Sequence, residues 1–257
     1  MSDAVLLDIA SGVATITLNQ PDARNRLDPE GMGQLTEHLT ATAEDADVRV
    51  VVLTGTGNTF CSGADLSGAL NSSAGGFASG GTGNLVAVLQ AMLDHPKPII
   101  GRVQGHVAGG GNGLVAACDI AIAASDARFA FSEVRVGVAP AIISVACLPV
   151  MHRRHAQELL LTGERVTADR VLEAGLVTAV AEPDGLDAAV GGYVDQLRRG
   201  GPEAVRTTKE LLRRIPAMPR DDAFAWAAEI SAGLFTSAEA REGMSAFLEK
   251  RNPPWVD

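Results

Sequence analysis

Residues 13–18 alternate between the two faces of a predicted strand. In VLLDIASGVATITLNQP, Ala14, Ile16 and Leu18 alternate with residues that would face the other side, and a Ser-Gly pair separates this run from an earlier strand-like run. A period of two residues is typical of a β-strand, and a short glycine-containing turn between two strands is typical of a hairpin. The segment therefore predicts a β-hairpin.

The spacing of apolar residues then changes to that of a helix. Asp28 and Pro29 are residue types favoured at the N-cap and the first position of a helix. Apolar residues follow at positions 32, 35 and 39 and share one helical face. These features predict a helix that begins after Asp28 and continues to about Glu44.

Three later runs are apolar without alternation: RVVVLTG, KPIIGRVQG and CDIAIA. Such runs indicate strands that are buried on both faces, as in a parallel sheet. The segment LVAVLQAMLDH has helical periodicity, and the Gly- and Ser-rich stretch Ser67–Asn84 before it predicts a loop. Strand, turn and helix thus recur through about residue 150.

The pattern beyond residue 150 is mostly that of amphipathic helices. The helical segments are RRHAQELLLTG, ADRVLEAG, LDAAVGGYVDQLRRG, PEAVRTTKELLRRI and DDAFAWAAEISAGLF, and LVTAV is strand-like. We therefore predict an α/β core in residues 1–195 and a helical C-terminal region in residues 196–257 that makes subunit contacts.

Composition narrows the classes of function. The formal net charge of -10 argues against a nucleic-acid partner, which needs clustered Lys and Arg side chains. The N-terminus lacks a signal peptide pattern and no run approaches the ~20 apolar residues that span a bilayer, so we expect a cytoplasmic protein that does not bind a membrane. The three cysteines lack CxxC spacing and indicate small buried residues in a reducing compartment. His152 and His155 lie three residues apart without a third ligand, so no metal site is expected.

Glycines cluster where two of the buried strands end. HVAGGGNGL places Gly109, Gly110, Gly111 and Gly113 at a predicted helix start, although a glycine inside a helix costs about 1 kcal/mol relative to alanine. NTFCSGADL similarly follows the strand RVVVLTG. Backbone amides from these two stretches could converge as an oxyanion hole, and the helix N-terminus would add partial positive charge.

A dinucleotide site is the main alternative for the same glycines. Gly111, Gly113 and Ala116 fit G-x-G-x-x-A, and Asp126 lies near the end of the next strand. However, a crossover between parallel strands needs about a dozen residues, and only Leu114 to Ala117 follow the last glycine before the strand CDIAIA. The motifs G-x-S-x-G and G-x-x-x-x-G-K-[ST] do not occur.

Four stretches together resemble the enoyl-CoA hydratase/isomerase (crotonase) family: QPDARNRLD, TGTGNTFCSGADL, HVAGGGNGLVAACDIAIAASDARFAFSEVRVGVAP and REGMSAFLEKRNPPW. The resemblance runs from about residue 5 to the C-terminus, and CSGADL followed by AGGG is specific to the family. It implies an α/β crotonase (ClpP-like) fold, in which ββα units repeat in a spiral before a helical C-terminal trimerisation region. A homotrimer or a dimer of trimers would follow.

The resemblance also implies roles for individual residues. The amides of Ala64 and Gly110 would hold the thioester oxygen of an acyl-CoA. Residues that match positions lining the CoA are Ala23, Arg24, Ser62, Asp65 and Leu66. Phe247 and Lys250 would approach the CoA of a neighbouring subunit. For Arg24 and Asp65, a solvated surface charge stays open as an alternative. Because CoA is part of the substrate, no separate cofactor is expected.

Glu133, in FAFSEVRVG, matches the glutamate that the family uses as acid and base. It follows the apolar stretch RFAF, and apolar surroundings raise the pKa of a carboxyl group toward useful values. On position alone, Glu133 could instead face water or pair with Arg135. Gly113 stands where the two-glutamate hydratases of the family carry a second acid, so one catalytic carboxylate is missing.

The resemblance implies hydration of a 2-enoyl-CoA to a 3-hydroxyacyl-CoA, with Glu133 as general base and acid. Isomerisation of a 3-enoyl-CoA to a 2-enoyl-CoA stays open because a lone carboxylate suits a proton shuttle. A CoA-thioester-binding protein without turnover is a third possibility, against which Glu133 counts. GVAPAIIS resembles the corresponding segment in hydratases of branched or carboxylated enoyl-CoAs, such as the methylglutaconyl type.

Overall fold

The structure is a computed structural model, and it describes residues 3–64 and 82–256. Residues 67–81 of the predicted loop, together with Asp65 and Leu66, lie outside the described residues. The last three residues of the predicted loop are instead helical, since a helix begins at Thr82. The loop prediction was wrong there because these residues lead directly into the apolar run and join its first turn.

The strands are short, and several have only three residues. They are β1 (Val5–Ala10), β2 (Val13–Leu18), β3 (Val50–Gly55), β4 (Thr59–Cys61), β5 (Ile99–Val103), β6 (His106–Ala108), β7 (Ile120–Ala124), β8 (Arg128–Ala130), β9 (Arg165–Thr167) and β10 (Ala179–Ala181).

The α-helices lie mainly in the second half of the chain. They are α1 (Pro29–Glu44), α2 (Thr82–Leu93), α3 (Gly110–Ala117), α4 (Ala141–Val150), α5 (Arg153–Thr162), α6 (Ala168–Glu173), α7 (Leu186–Arg199), α8 (Pro202–Arg214), α9 (Arg220–Phe235) and α10 (Ala238–Glu249). Residue 195, where the predicted core ends, lies inside α7, and the division of the chain into two regions stays a prediction.

Within the described residues the strands form two sheets. The larger sheet has the order β1-β2-β3-β5-β7-β10, and the smaller has the order β4-β6-β8-β9. The β1–β2 hairpin is antiparallel, whereas the pairs β2–β3, β3–β5, β5–β7 and β7–β10 are parallel. In the smaller sheet, β4, β6 and β8 are parallel and β9 is antiparallel to β8.

Successive segments alternate between the two sheets and then form a helix. The order β3-β4-α2 is followed by β5-β6-α3 and β7-β8, with α4 after a short 3-10 helix. The predicted repeat of ββα units is therefore confirmed. Because β4, β6 and β8 are parallel neighbours, the residues that follow them lie at one edge of the smaller sheet.

The elements with the clearest periodicity form where the sequence predicts them. The Asp28 side chain accepts a hydrogen bond of 2.8 Å from the Gly31 amide and caps α1, and Met32, Leu35 and Leu39 are buried. All six residues of β3 are buried, as expected for a central parallel strand. The N-cap and the apolar stripe thus anchor α1 to the sheet that holds β3.

The C-terminal helices present apolar side chains to solvent. None of the residues of α9 is buried. Phe224 and Phe235 on α9 are 71% and 69% exposed, and Phe247 and Leu248 on α10 are 82% and 80% exposed. Of the helices in residues 3–64 and 82–256, none is long and apolar enough to cross a membrane.

Gly113 lies where α3 packs against α4. A Cβ added to Gly113 would lie 2.7 Å from Cγ2 and 3.1 Å from Cβ of Ile143, and 3.5 Å from a methyl group of Leu89. Ile143 and Leu89 are both buried. The two Ile143 atoms are attached to or part of its branch point, so the side chain cannot rotate away easily. The absence of a side chain at residue 113 therefore lets α4 approach α3.

We predict that Gly113→Ala lowers the free energy of unfolding by about 1–3 kcal/mol, because the added methyl group overpacks the α3–α4 contact. Gly192→Ala is the control: a Cβ at this position of α7 has no neighbour within 4 Å. Alanine at residue 192 should raise stability by about 0.5–1 kcal/mol through the lower entropy of the unfolded chain. Urea unfolding of both variants measures the difference. Equal stabilisation by the two substitutions would contradict the packing role of Gly113.

Candidate active site

The glycine cluster forms the junction between β6 and α3. Gly109 is the N-cap residue, with a φ of 50° and a ψ of -123°, and its amide donates to the Ala130 carbonyl at 3.1 Å. The first amides of an α-helix have no partner within the helix and carry partial positive charge. The Gly110 amide, at the first helical position, is therefore suited to an oxygen that develops negative charge.

The end of β4 approaches this helix start through Gly63. Gly63 has a φ of +85°, and an added Cβ would lie 2.7 Å from the Ala108 carbonyl oxygen and 3.0 Å from the Gly110 nitrogen. The Gly63 carbonyl accepts a hydrogen bond from Leu27 at 2.8 Å, and Ala64 forms a bridge with Leu27. A residue with a side chain at 63 would separate the two backbone segments, so glycine there brings Ala64 and Gly110 to one place.

Glu133 lies on the same edge of the smaller sheet, after β8. It belongs to a 3-10 helix, Ser132–Val136, and a single residue lies between the end of that strand and this helix. A Cβ added to Gly109 would lie 3.7 Å from Oε1 and 3.9 Å from Cδ of Glu133. The carboxyl group therefore lies against the turn that carries the Gly110 amide. The structure brings together three of the predicted site residues: Ala64, Gly110 and Glu133.

The alternative pairing of Glu133 with Arg135 does not form. Arg135 instead contacts Glu164 at 2.7 Å and donates to the Thr162 carbonyl at 3.1 Å. Glu133 is half-buried rather than directed into bulk water. Its carboxyl is therefore left available next to the glycine turn.

Burial determines the electrostatics of Glu133. Desolvation raises the pKa of its carboxyl above the ordinary value, and a hydrogen bond from its own backbone amide offsets part of that rise. Oε2 is buried and has no hydrogen-bond partner among the described residues. A carboxyl group with a raised pKa accepts and returns a proton more readily near neutral pH than an ordinary glutamate does.

The residues predicted to contact CoA are partly assembled. Ala23 ends a short 3-10 helix, and the Arg24 carbonyl accepts a hydrogen bond from the Ser62 amide at 3.1 Å, so the first predicted CoA-binding stretch lies beside the second. Phe247 and Lys250 lie on and just after α10, whose neighbour is α9. Asp65 and Leu66 lie outside the described residues.

The alternative uses of the glycines and histidines have little structural support. A Cβ on Gly111 would lie 2.6 Å from the Cys61 carbonyl oxygen, so this glycine serves close packing against β4. His152 and His155 contact each other edge to face, with ring centroids 6.1 Å apart. In the described part of the chain, no group of three or more His, Cys, Asp or Glu residues is arranged to hold a metal. All three cysteines are free.

Two residues near the site did not stand out in the sequence. Asn112 is a fully buried polar residue in α3 and donates to the Ala130 carbonyl at 2.8 Å. Ile143 fills the space beside Gly113. A polar residue inside a run of small residues was the only available signal for Asn112, and the contact of Ile143 spans thirty residues of sequence.

Comparison with known proteins agrees with this architecture. The enoyl-CoA hydratase/isomerase family model matches residues 8–257. A putative enoyl-CoA hydratase from Thermus thermophilus is 34% identical, over 94% of this chain and 96% of the relative. An (E)-benzylidenesuccinyl-CoA hydratase from Thauera aromatica is 33% identical, over 97% of each chain.

A solved structure gives the same result for the fold. The crystal structure of an enoyl-CoA hydratase from Mycobacterium smegmatis has a TM-score of 0.94 and 36% identity to this chain and covers 100% of both chains. The predicted crotonase fold is therefore confirmed. With the family match and the full-length relatives, it follows that this chain is an enzyme of the enoyl-CoA hydratase/isomerase (crotonase) family.

Proposed function

We propose that this enzyme adds water to a 2-enoyl-CoA and forms a 3-hydroxyacyl-CoA. The observation that carries the proposal is the half-buried carboxyl group of Glu133 beside the Gly109–Gly110 turn, with Gly63 packed against the same turn. A base and two converging backbone amides are what conjugate addition to a thioester requires. Names of relatives that are enoyl-CoA hydratases support the same reaction.

In the proposed mechanism, the amides of Ala64 and Gly110 donate hydrogen bonds to the thioester oxygen. This polarises the conjugated system and makes C3 electrophilic. Glu133 removes a proton from water as the water oxygen bonds to C3, and the electrons of the double bond pass to the thioester as an enolate. Glu133 then returns the proton to C2. One carboxyl group therefore serves as base and acid, and CoA remains part of the substrate throughout.

The single carboxylate follows from the packing at Gly113. Ile143 occupies the position that a side chain at residue 113 would enter, so a second acid has no space there unless α4 moves. The same observation favours the second candidate reaction, isomerisation of a 3-enoyl-CoA to a 2-enoyl-CoA. That reaction moves one proton from C2 to C4 and requires only one shuttle group. A CoA-thioester-binding protein without turnover is disfavoured by the carboxyl group of Glu133.

We extend the proposal to enoyl-CoAs that are branched or that carry a carboxylate. The segment GVAPAIIS, which resembles hydratases of such substrates, forms the start of α4, and Ile143 from that segment packs on α3. Ala23, Arg24, Ser62, Asp65 and Leu66 are proposed to line the CoA. Relatives of this chain are named as hydratases of different substrates, among them short-chain enoyl-CoAs and 2,3-dehydroadipyl-CoA.

Three substrates distinguish the proposed reactions: crotonyl-CoA, 3-hexenoyl-CoA and 3-methylglutaconyl-CoA. Loss of the absorbance of the conjugated thioester with the first or third compound supports hydration. Gain of that absorbance with the second supports isomerisation. A larger kcat/KM for the third than for the first supports the branched or carboxylated class. No change with any of the three would contradict turnover of these substrates.

Glu133→Gln should lower kcat by about 10²-fold or more, because general acid–base groups contribute on that scale. Binding of the acyl-CoA should persist, since the backbone amides and the CoA-binding residues are unchanged. Steady-state kinetics and calorimetric titration with a saturated acyl-CoA measure the two effects. An unchanged kcat would remove Glu133 from the mechanism.

The pH dependence should show the raised pKa of Glu133. The base must be ionised, so kcat/KM should fall as pH decreases through an apparent pKa above the ordinary glutamate value of about 4.3. The raised pKa also means that burial penalises the ionised form of Glu133, so stability is greatest where the carboxyl is protonated and falls as pH rises through the raised pKa. Glu133→Gln should therefore be more stable than the parent near neutral pH, and the difference should vanish at low pH.

Initial rates and urea unfolding across pH 4–9 (roughly the range in which a raised carboxyl pKa lies) measure both effects. The Glu133→Gln variant is its own control, because its residual rate should lack the acid limb. An acid limb at or below the ordinary glutamate pKa would contradict the role of burial.

We also propose a homotrimer or a dimer of trimers, in which Phe247 and Lys250 approach the CoA of a neighbouring subunit. The exposed phenylalanines of α9 and α10 support an interface, because large exposed apolar patches mark association sites. Sedimentation velocity should give three or six times the chain mass of 26.6 kDa. A monomer at micromolar concentration would contradict this assembly.

A further inference from the structure

Asn112 is a buried polar residue in the first turn of α3. Its exposed fraction is 0%, and the residues around it in the helix are small or apolar. It lies two positions after Gly110, whose amide is proposed to bind the thioester oxygen. The reaction proposed above does not use its side chain, so its burial needs another explanation.

The Asn112 side chain connects the helix start to the end of β8. Nδ2 donates to the Ala130 carbonyl at 2.8 Å and approaches the Gly109 carbonyl at 3.4 Å. The backbone amide of Gly109 donates to the same Ala130 carbonyl at 3.1 Å, and the backbone amide of Asn112 donates to the Gly109 carbonyl at 3.0 Å. The last residue of β8 is therefore held to α3 by a side-chain donor and a backbone donor at once.

Only two residues, Phe131 and Ser132, lie between Ala130 and Glu133. Ala130 is followed by Phe131, which is buried with 0% exposure, and by the 3-10 helix that contains Glu133. Because the Phe131 side chain is buried, the chain between Ala130 and Glu133 has little freedom to move. The position of the Ala130 carbonyl therefore influences the position of Glu133. This short path connects the Asn112 side chain to the 3-10 helix that carries Glu133.

The oxygen of the Asn112 side-chain amide indicates that this arrangement reduces the stability of the fold. Oδ1 is buried and has no hydrogen-bond partner in residues 3–64 and 82–256. Leaving a buried acceptor without a donor is unfavourable, and a smaller or apolar residue would avoid it. The side chain thus satisfies the Ala130 carbonyl at the expense of its own oxygen.

From this geometry we propose that Asn112 is a positioning residue, which holds Glu133 at its working distance from the Gly110 amide by binding the Ala130 carbonyl. It does not touch the substrate and takes no proton. The inference rests on the proposed function, in which Glu133 and the Gly110 amide act on the same acyl-CoA.

Asn112→Leu tests the inference, because leucine is similar in size and has no donor. The Gly109 amide still satisfies the Ala130 carbonyl, so the fold should persist. We expect kcat to fall by about 10-fold to 10²-fold, as displaced catalytic groups do, with KM within about twofold of the parent because the CoA contacts lie elsewhere. Asn112→Ser, which keeps one donor on a shorter side chain, should recover part of the lost kcat.

Thr42→Val is the matched control for loss of a buried donor. Thr42 is 0% exposed, and its hydroxyl donates to the His38 carbonyl at 2.8 Å in α1. This variant should lose stability without a change in kcat or KM. If Thr42→Val lowers kcat as much as Asn112→Leu does, loss of stability alone explains the effect and the inference is wrong.

A double-mutant cycle separates positioning from an independent effect. In a Glu133→Gln background, Asn112→Leu should leave the residual rate unchanged, because there is no carboxylate left to position. A further loss equal to that in the parent would overturn the inference. If Glu133→Gln itself retains the parent kcat, the proposed function fails instead.

A measurement that needs no turnover tests the inference even if Glu133→Gln retains the parent kcat. Titration of the Glu133 side chain by ¹³C NMR should show an altered pKa in Asn112→Leu and an unaltered pKa in Thr42→Val. The same pKa in all three proteins would show that Asn112 does not control the surroundings of Glu133, whatever the reaction.

Discussion

The close approach of β4 to the start of α3 is the contact on which the candidate site depends. A Cβ at Gly63 would lie within 3.0 Å of both the Ala108 oxygen and the Gly110 nitrogen. The two segments of the chain can therefore approach each other only where residue 63 has no side chain. The parallel order of β4, β6 and β8 then directs the residues behind each strand to the same edge. Two amide-bearing turns and Glu133 meet there because the sheet puts their strands side by side.

Several features of the candidate site lower the stability of the folded protein. Burial raises the pKa of Glu133, and two buried oxygens, Oε2 of Glu133 and Oδ1 of Asn112, lack hydrogen-bond partners among the described residues. Each of these features disfavours the folded state, since unsatisfied buried acceptors are costly. The packed core around β3 and β5 supplies the stability that tolerates them. The proposed reaction needs a free carboxylate oxygen on Glu133 to accept a proton, so its polar atoms cannot all be satisfied beforehand.

The sequence allowed prediction of the elements whose pattern is local. The β1–β2 hairpin, α1 with its Asp28 cap, and the buried strand β3 follow from residue spacing alone. Three-residue strands such as β4, β6 and β9 are too short to show a period. Pro149 hides α4 because proline disfavours a helix interior. The family motif identifies Glu133, whereas the positions of Asn112 and Ile143 depend on partners far along the chain.

Gly113 shows how the structure changes the interpretation of a motif. In the sequence, Gly113 stands where the two-glutamate hydratases of the family carry a second acid, and this comparison concerns the reaction alone. In the structure it is also one half of a packing pair, because Ile143 occupies the space that its side chain would need. The loss of an acid and the close packing of α4 are therefore linked. A carboxylate at residue 113 would require changes at both positions, which agrees with the proposed mechanism in which Glu133 is base and acid.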